Sequence, residues 1–90
     1  MTIGNSKVNI VFHQHSILRM NERGVSLKEV QDVIVNGEQF IGKFDRNGYR
    51  KNFTINGIWK DKRYNIKQVE VYAVLEGKNL VVITVIAKYF

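Results

Sequence analysis

The sequence predicts an α+β domain in which two N-terminal helices pack on an antiparallel sheet of about four strands. Three observations lead there. Apolar side chains recur at helical spacing only as far as Asn36-Gly37. Beyond that point the chain turns to runs rich in β-branched and aromatic residues, and Asn-Gly pairs at positions 47–48 and 56–57 have the chemistry of hairpin turns. Ninety residues hold one core and no more, so the elements belong to a single domain.

Residues 1–11 carry no clear period and read as a flexible N-terminal segment or linker, with the domain proper over residues 12–90. From Phe12 to Arg23, the side chains of Phe12, Ser16, Ile17 and Met20 fall on one side of a helix, and Gly24 closes it. Ser26 opens a second helix, because Ser26 and Glu29 have the spacing at which each side chain satisfies the other's free backbone donor. Leu27, Val30, Val33 and Ile34 form its apolar face, and Asn36-Gly37 stops it. Strands follow at Gln39 to Phe44 and Tyr49 to Ile55 about a turn at Arg46-Asn47-Gly48, with a loop or irregular strand over Asn56 to Arg63. A second hairpin joins Ile66 to Leu75 and Asn79 to Tyr89 about Glu76-Gly77-Lys78. The last strand is apolar on both faces, which suits a central position in the sheet.

The composition, 44% hydrophobic and 24% charged, is that of a folding domain and excludes a disordered segment. There is no cysteine, which excludes disulfides and thiolate metal sites. The longest apolar stretch, Leu80 to Ala87, is far short of the roughly 20 residues that span a bilayer, so no membrane partner is expected. A formal net charge of +6 and a pI near 9.8 favour a polyanion, nucleic acid before an acidic protein.

Two groups of residues have chemistry of interest. His15, Arg19 and Arg23 recur at four-residue steps, which places an imidazole and two guanidiniums along one helical stripe. Such a row is relieved by an anion that bridges it, phosphate being the natural one. A carboxylate such as Asp32 or Glu38 serves the same end, with His15 then only a half-buried helix residue. The second group is Lys43, Arg46, Arg50, Lys51, Lys60, Lys62 and Arg63, interleaved with Phe44, Tyr49, Phe53, Trp59 and Tyr64. Cations can track a phosphate backbone while aromatic faces stack unpaired bases, which makes these candidate RNA-binding residues; equally, the aromatics can be core and the charges a solvated face.

The run His15-Ser-Ile-Leu-Arg19-Met20-Asn-Glu-Arg23-Gly24-Val25-Ser26, the Val-rich helix ending in Asn36-Gly37-Glu38, and the late strand Val82-Ile83-Thr84-Val85 resemble a family of small bacterial domains similar to the barnase, EndoU, colicin and RelE ribonuclease toxins. Those toxins occur alone or as C-terminal modules of polymorphic and contact-dependent inhibition systems. The resemblance spans about residues 12 to 88 and implies a catalytic site of His15, Arg19 and Arg23 facing Thr84; it does not identify the second proton-transfer group, for which Tyr72, Tyr89 and Lys88 are candidates. It implies an endoribonuclease without metal or cofactor, in which a base takes the 2′-hydroxyl proton and a cyclic phosphate forms. Its partners would be an RNA substrate, tRNA or mRNA, and an acidic immunity protein or antitoxin. It would act in the bacterial cytoplasm, in some systems as part of a secreted effector. The competing reading is a non-catalytic RNA- or protein-binding module on the same scaffold. An enzyme needs His15, Arg19 and Thr84 to converge on one cleft; a binder does not.

Overall fold

In a computed structural model, which describes residues 9–90, the elements run β1 (Asn9–Phe12), α1 (Gln14–Arg23), α2 (Leu27–Asn36), β2 (Glu38–Ile41), a 3-10 turn (Lys43–Asp45), β3 (Asn47–Trp59), β4 (Lys62–Glu76) and β5 (Asn79–Tyr89). The strands form one sheet in the order β1-β5-β4-β3-β2, with β1 parallel to β5 and the other pairs antiparallel. The α+β class and the two helices agree with the sequence reading. The four-stranded antiparallel sheet does not, because the sheet has five strands and is mixed, and a strand precedes the helices. The first eight residues of the expected linker lie outside the described residues. Its last three are strand, and Phe12 ends that strand instead of opening a helix. Four residues are too few to show a period; what recruits them is the free edge of β5, against which Ile10 joins the core.

Local chemistry sets the ends of the helices. His13 caps α1, its Nδ1 accepting the His15 N–H at 3.1 Å, and Gly24 closes the helix at φ 69°. The Ser26 and Glu29 capping box is present as expected. Asn56-Gly57 does not end a strand. The β3–β4 register slips between Thr54 and Gly57, with Asn56 at φ 42°, and the hairpin turns further on, at Lys60 and Asp61, both left-handed. Two successive left-handed residues match the twist of the flanking strands, which is what a two-residue hairpin turn requires.

Val30 and Val33 of α2, Met20 of α1, and Val69, Val71, Ala73, Val82 and Val85 of the sheet share one core, so both helices cover the same face. On β4 the alternation that turns Val69, Val71 and Ala73 inward turns Glu70 and Tyr72 to the opposite face. On β5 the register slips: Tyr72 lies opposite Thr84 but Ala73 lies opposite Val82, leaving Ile83 as an extra residue. This bulge lets Val82 and Val85 both face the helices while Thr84 sits beside Tyr72. Among the described residues no helix is long and apolar enough to cross a membrane.

A part-buried ion pair ties both helices to the sheet. Lys67, 6% exposed, donates from Nζ to both Glu29 oxygens at 2.8 and 2.9 Å and to the Gly24 carbonyl. Beside it the Tyr89 hydroxyl donates to the Arg23 carbonyl at 2.6 Å, and Trp59 stacks on Tyr89 with ring centroids 5.1 Å apart. Burial acts to raise the Glu29 carboxyl, but the bonds from Lys67 and Ser26 outweigh it and hold the group below its ordinary value of 4.5. The stability this carboxylate supplies is therefore complete above pH 4.5 and lost as the pH falls through its lowered folded value. Glu29→Gln should destabilise the domain by about 3 kcal/mol at pH 7, since it leaves Lys67 buried without its counter-charge. In thermal melts from pH 7 to pH 3 the variant should lose less stability than the wild type; equal losses would show that the pair is not what acid breaks.

Candidate functional site

The face of the sheet away from the helices carries a groove of about 490 Å³, walled by Phe40, the loop from Ile41 to Arg46, and the side chains of Tyr72, Thr84 and Ile86. Two close approaches shape it. Phe40 lies across its strand partner Gly48, where an added Cβ would meet the ring at 2.4 Å, and Tyr72 lies against Gly42, where a Cβ would meet it at 2.9 Å. Phe40 and Tyr72 then pack edge to face, centroids 5.8 Å apart.

Next to the groove, one strand position along from Tyr72 and Thr84 on the same face, sits Glu70, 6% exposed. The Tyr72 hydroxyl donates to its Oε1 at 3.1 Å, while Arg50 Nη1 at 3.6 Å and Lys88 Nζ at 4.0 Å approach its Oε2. Arg50 also bonds Glu38 at 3.0 Å and lies over the Phe40 ring at 4.9 Å from its centroid. Burial first, then the charge and hydrogen bond of Glu70, hold the Tyr72 hydroxyl above its ordinary value of 10.0, with Arg50 opposing. The phenol thus keeps its proton at neutral pH. A carboxylate, a guanidinium, an ammonium, a protonated phenol and the Thr84 hydroxyl together can take up a proton, give one and hold an anion.

A family model described as a domain of unknown function, DUF4258, matches residues 12–87. The chain belongs to this family. The DUF4258 match takes in α1 through nearly all of β5, and with them Arg50, Glu70, Tyr72 and Thr84, while Lys88 falls just beyond it. No curated protein and no solved structure matches the chain.

Within this DUF4258 domain the sequence-derived site does not come together. His15 is exposed on α1 and lines a separate groove with His13, Gln14, Ile17, Leu18 and Asn21. Arg19 pairs with Glu22 at 2.8 Å, and Arg23 donates to the Val85 carbonyl at 2.6 Å, so two members of the stripe already have acceptors within the fold. Thr84 lines the groove with Tyr72 and Phe40, and that groove and the His15 groove share no residue. Neither Asp32 nor Glu38 pairs with the stripe; they go to Lys51 and Arg50.

The basic residues divide three ways. Lys43 and Arg46 wall the groove and Arg50 lies next to it. Lys51 faces the helices and bonds Asp32 at 2.7 Å. Lys60, Lys62 and Arg63 sit at the β3–β4 turn, about ten residues of β4 from Tyr72 and so roughly 30 Å along the strand from the groove. Among the described residues no three His, Asp or Glu side chains gather where a metal ion could sit.

Glu70 escapes a reading based on helical spacing, yet its signal is present. It is the one charge in Val69-Glu-Val-Tyr-Ala-Val-Leu75, and strand alternation puts it on the face of Tyr72. The dependence of this face on Gly48 is testable. Gly48→Ala should destabilise by about 1–3 kcal/mol in urea unfolding, because the methyl displaces the Phe40 ring. Gly57→Ala, whose Cβ would meet only a carbonyl at 3.5 Å, should stay within about 0.5 kcal/mol of wild type. Equal effects would mean that Phe40 yields freely and does not fix the wall.

Proposed function

We propose that this domain is a metal-independent endoribonuclease whose chemistry sits on the bare face of the sheet. Glu70 takes the proton of a 2′-hydroxyl, whose oxygen attacks the adjacent phosphorus. The bond to the 5′-oxygen breaks, leaving a cyclic phosphate, and that oxygen takes the proton of Tyr72. Arg50 and Lys88 neutralise the charge on the phosphoryl oxygens, and Thr84 donates a hydrogen bond to one of them. The observation that carries this reading is the convergence of Arg50, Lys88 and Tyr72 on the near-buried Glu70 carboxylate, beside a largely apolar groove whose wall includes Lys43 and Arg46. The net charge of +6 and the resemblance to bacterial ribonuclease toxins support the substrate class. That resemblance would make the physiological setting a bacterial cytoplasm and the natural inhibitor an acidic immunity protein or antitoxin.

The second reading, a binding module without catalysis, is favoured by one observation. Glu70 already has three partners, which is what a structural ion-pair network needs.

The purified protein should cleave total RNA in excess EDTA, and Glu70→Gln should slow cleavage at least about a hundredfold by removing the base. Circular dichroism would check that the variant is folded. Cleavage by Glu70→Gln at the wild-type rate, together with loss in His15→Ala, would return the base to α1; RNA binding without any cleavage would favour the binding module. Expression in bacteria should arrest growth, and Tyr72→Phe should relieve the arrest.

A further inference from the structure

Of the aromatic residues interleaved with cations, four are engaged within the fold. Tyr49 is buried, Phe53 packs against the core, and Trp59 and Tyr64 both contact Tyr89. Phe44 is different: it is 86% exposed on the loop that walls the groove. Its backbone is left-handed at φ 60°, ψ 35°, and Asp45 follows at φ 58°. Residues with a Cβ are disfavoured there, so no local preference explains a phenylalanine held outward at this point. The loop is nonetheless closed, with the Gly42 N–H donating to the Arg46 carbonyl at 2.7 Å and the Arg46 N–H to the Lys43 carbonyl at 3.3 Å. The Arg46 guanidinium stands 5.8 Å from the centre of the Phe44 ring, and Lys43 lies on the ring's other side in sequence.

An exposed ring with one cation beside it and a second on the same groove wall, in a groove that also holds Thr84 and Tyr72, suits an unpaired base joined to a bound phosphate. The ring stacks on the base while the cations follow the backbone. An apolar segment of a protein would gain the same ring contact but would have to leave Lys43 and Arg46 beside it without counter-charges. We propose that Phe44, with Arg46 and Lys43, is a stacking platform that selects single-stranded RNA by holding the base next to the scissile phosphate. This rests on the reading of the groove as an RNA site, and deepens it by naming the strandedness of the substrate and the residue that reads it.

The probe is a short single-stranded oligonucleotide carrying 2-aminopurine, with a 2′-deoxy sugar at the cleavage position so that binding is read without turnover. Wild type should quench the fluorescence of the single strand and not of the matching duplex. Phe44→Ala should abolish the quench and weaken binding by tenfold or more, and Phe44→Trp should restore both. With cleavable RNA, Phe44→Ala should raise KM and leave kcat near its wild-type value. Because the side chain is exposed, both variants should melt with the wild type. Equal quenching and affinity in Phe44→Ala would overturn the platform and leave the ring to a protein partner, as would a quench by duplex equal to that by single strand. A wild type that quenches but never cleaves would refute the ribonuclease reading and retain the platform; one that binds no oligonucleotide would refute both.

Discussion

The two-residue alternation of β4 is the constraint on which both faces of the domain depend. Val69, Val71 and Ala73 must point at the helices to make the core, and the same pleat sends Glu70 and Tyr72 the other way. A carboxylate at this position in a Val-rich strand would be costly if it were alone. It persists because neighbouring strands bring Arg50 and Lys88 within 3.6 and 4.0 Å of it. The bulge at Ile83 completes the arrangement, since pairing straight through that residue would make Thr84 and Val85 exchange faces and cost the core a fully buried valine. Core packing and site geometry are therefore two results of one register, and a slip in it would damage both.

The Lys67 knot plays a complementary part on the opposite face of β4, three residues before Glu70. A single ammonium joins the end of α1, the first turn of α2 and the sheet, and so fixes where two short helices lie on a broad surface. Its neighbours are aromatic, with Trp59 stacked on Tyr89 against Gly24. Part of the basic and aromatic richness of the β3–β4 hairpin is thus spent on architecture, which separates Trp59 from Phe44 despite their similar surroundings in sequence.

What could be read in the sequence is what local chemistry determines. The α2 boundaries follow from the Ser26–Glu29 capping box and Gly37, and the end of α1 from Gly24, because those signals act over a few residues. The β1 strand could not be read, since only the edge of β5 makes Asn9–Phe12 a strand. Asn56-Gly57 carries the chemistry of a turn but is absorbed as an irregularity within a long hairpin whose pairing continues on both sides. The spacing of His15, Arg19 and Arg23 is real, yet spacing does not say what each side chain meets. Glu22 answers for Arg19, and a backbone carbonyl more than sixty positions away answers for Arg23. Of the expected site, Thr84, Arg50, Lys43 and Arg46 lie at or beside the groove, and Glu70 joins them from a strand whose hydrophobic character concealed it.

The parallel pairing of β1 with β5 reaches across the fold, joining Asn9 to Asn79 and Phe12 to Val82. A chain emerging from the ribosome can build the helices and the β3–β4 hairpin from near neighbours, but the sheet cannot close until its final strand has been synthesised. That strand brings Thr84 and Lys88, and it supplies the inner wall against which Tyr72 is set. An activity housed on this face would be silent in every nascent chain that still lacks β5, so the translating cell would meet it only after that strand has left the ribosome.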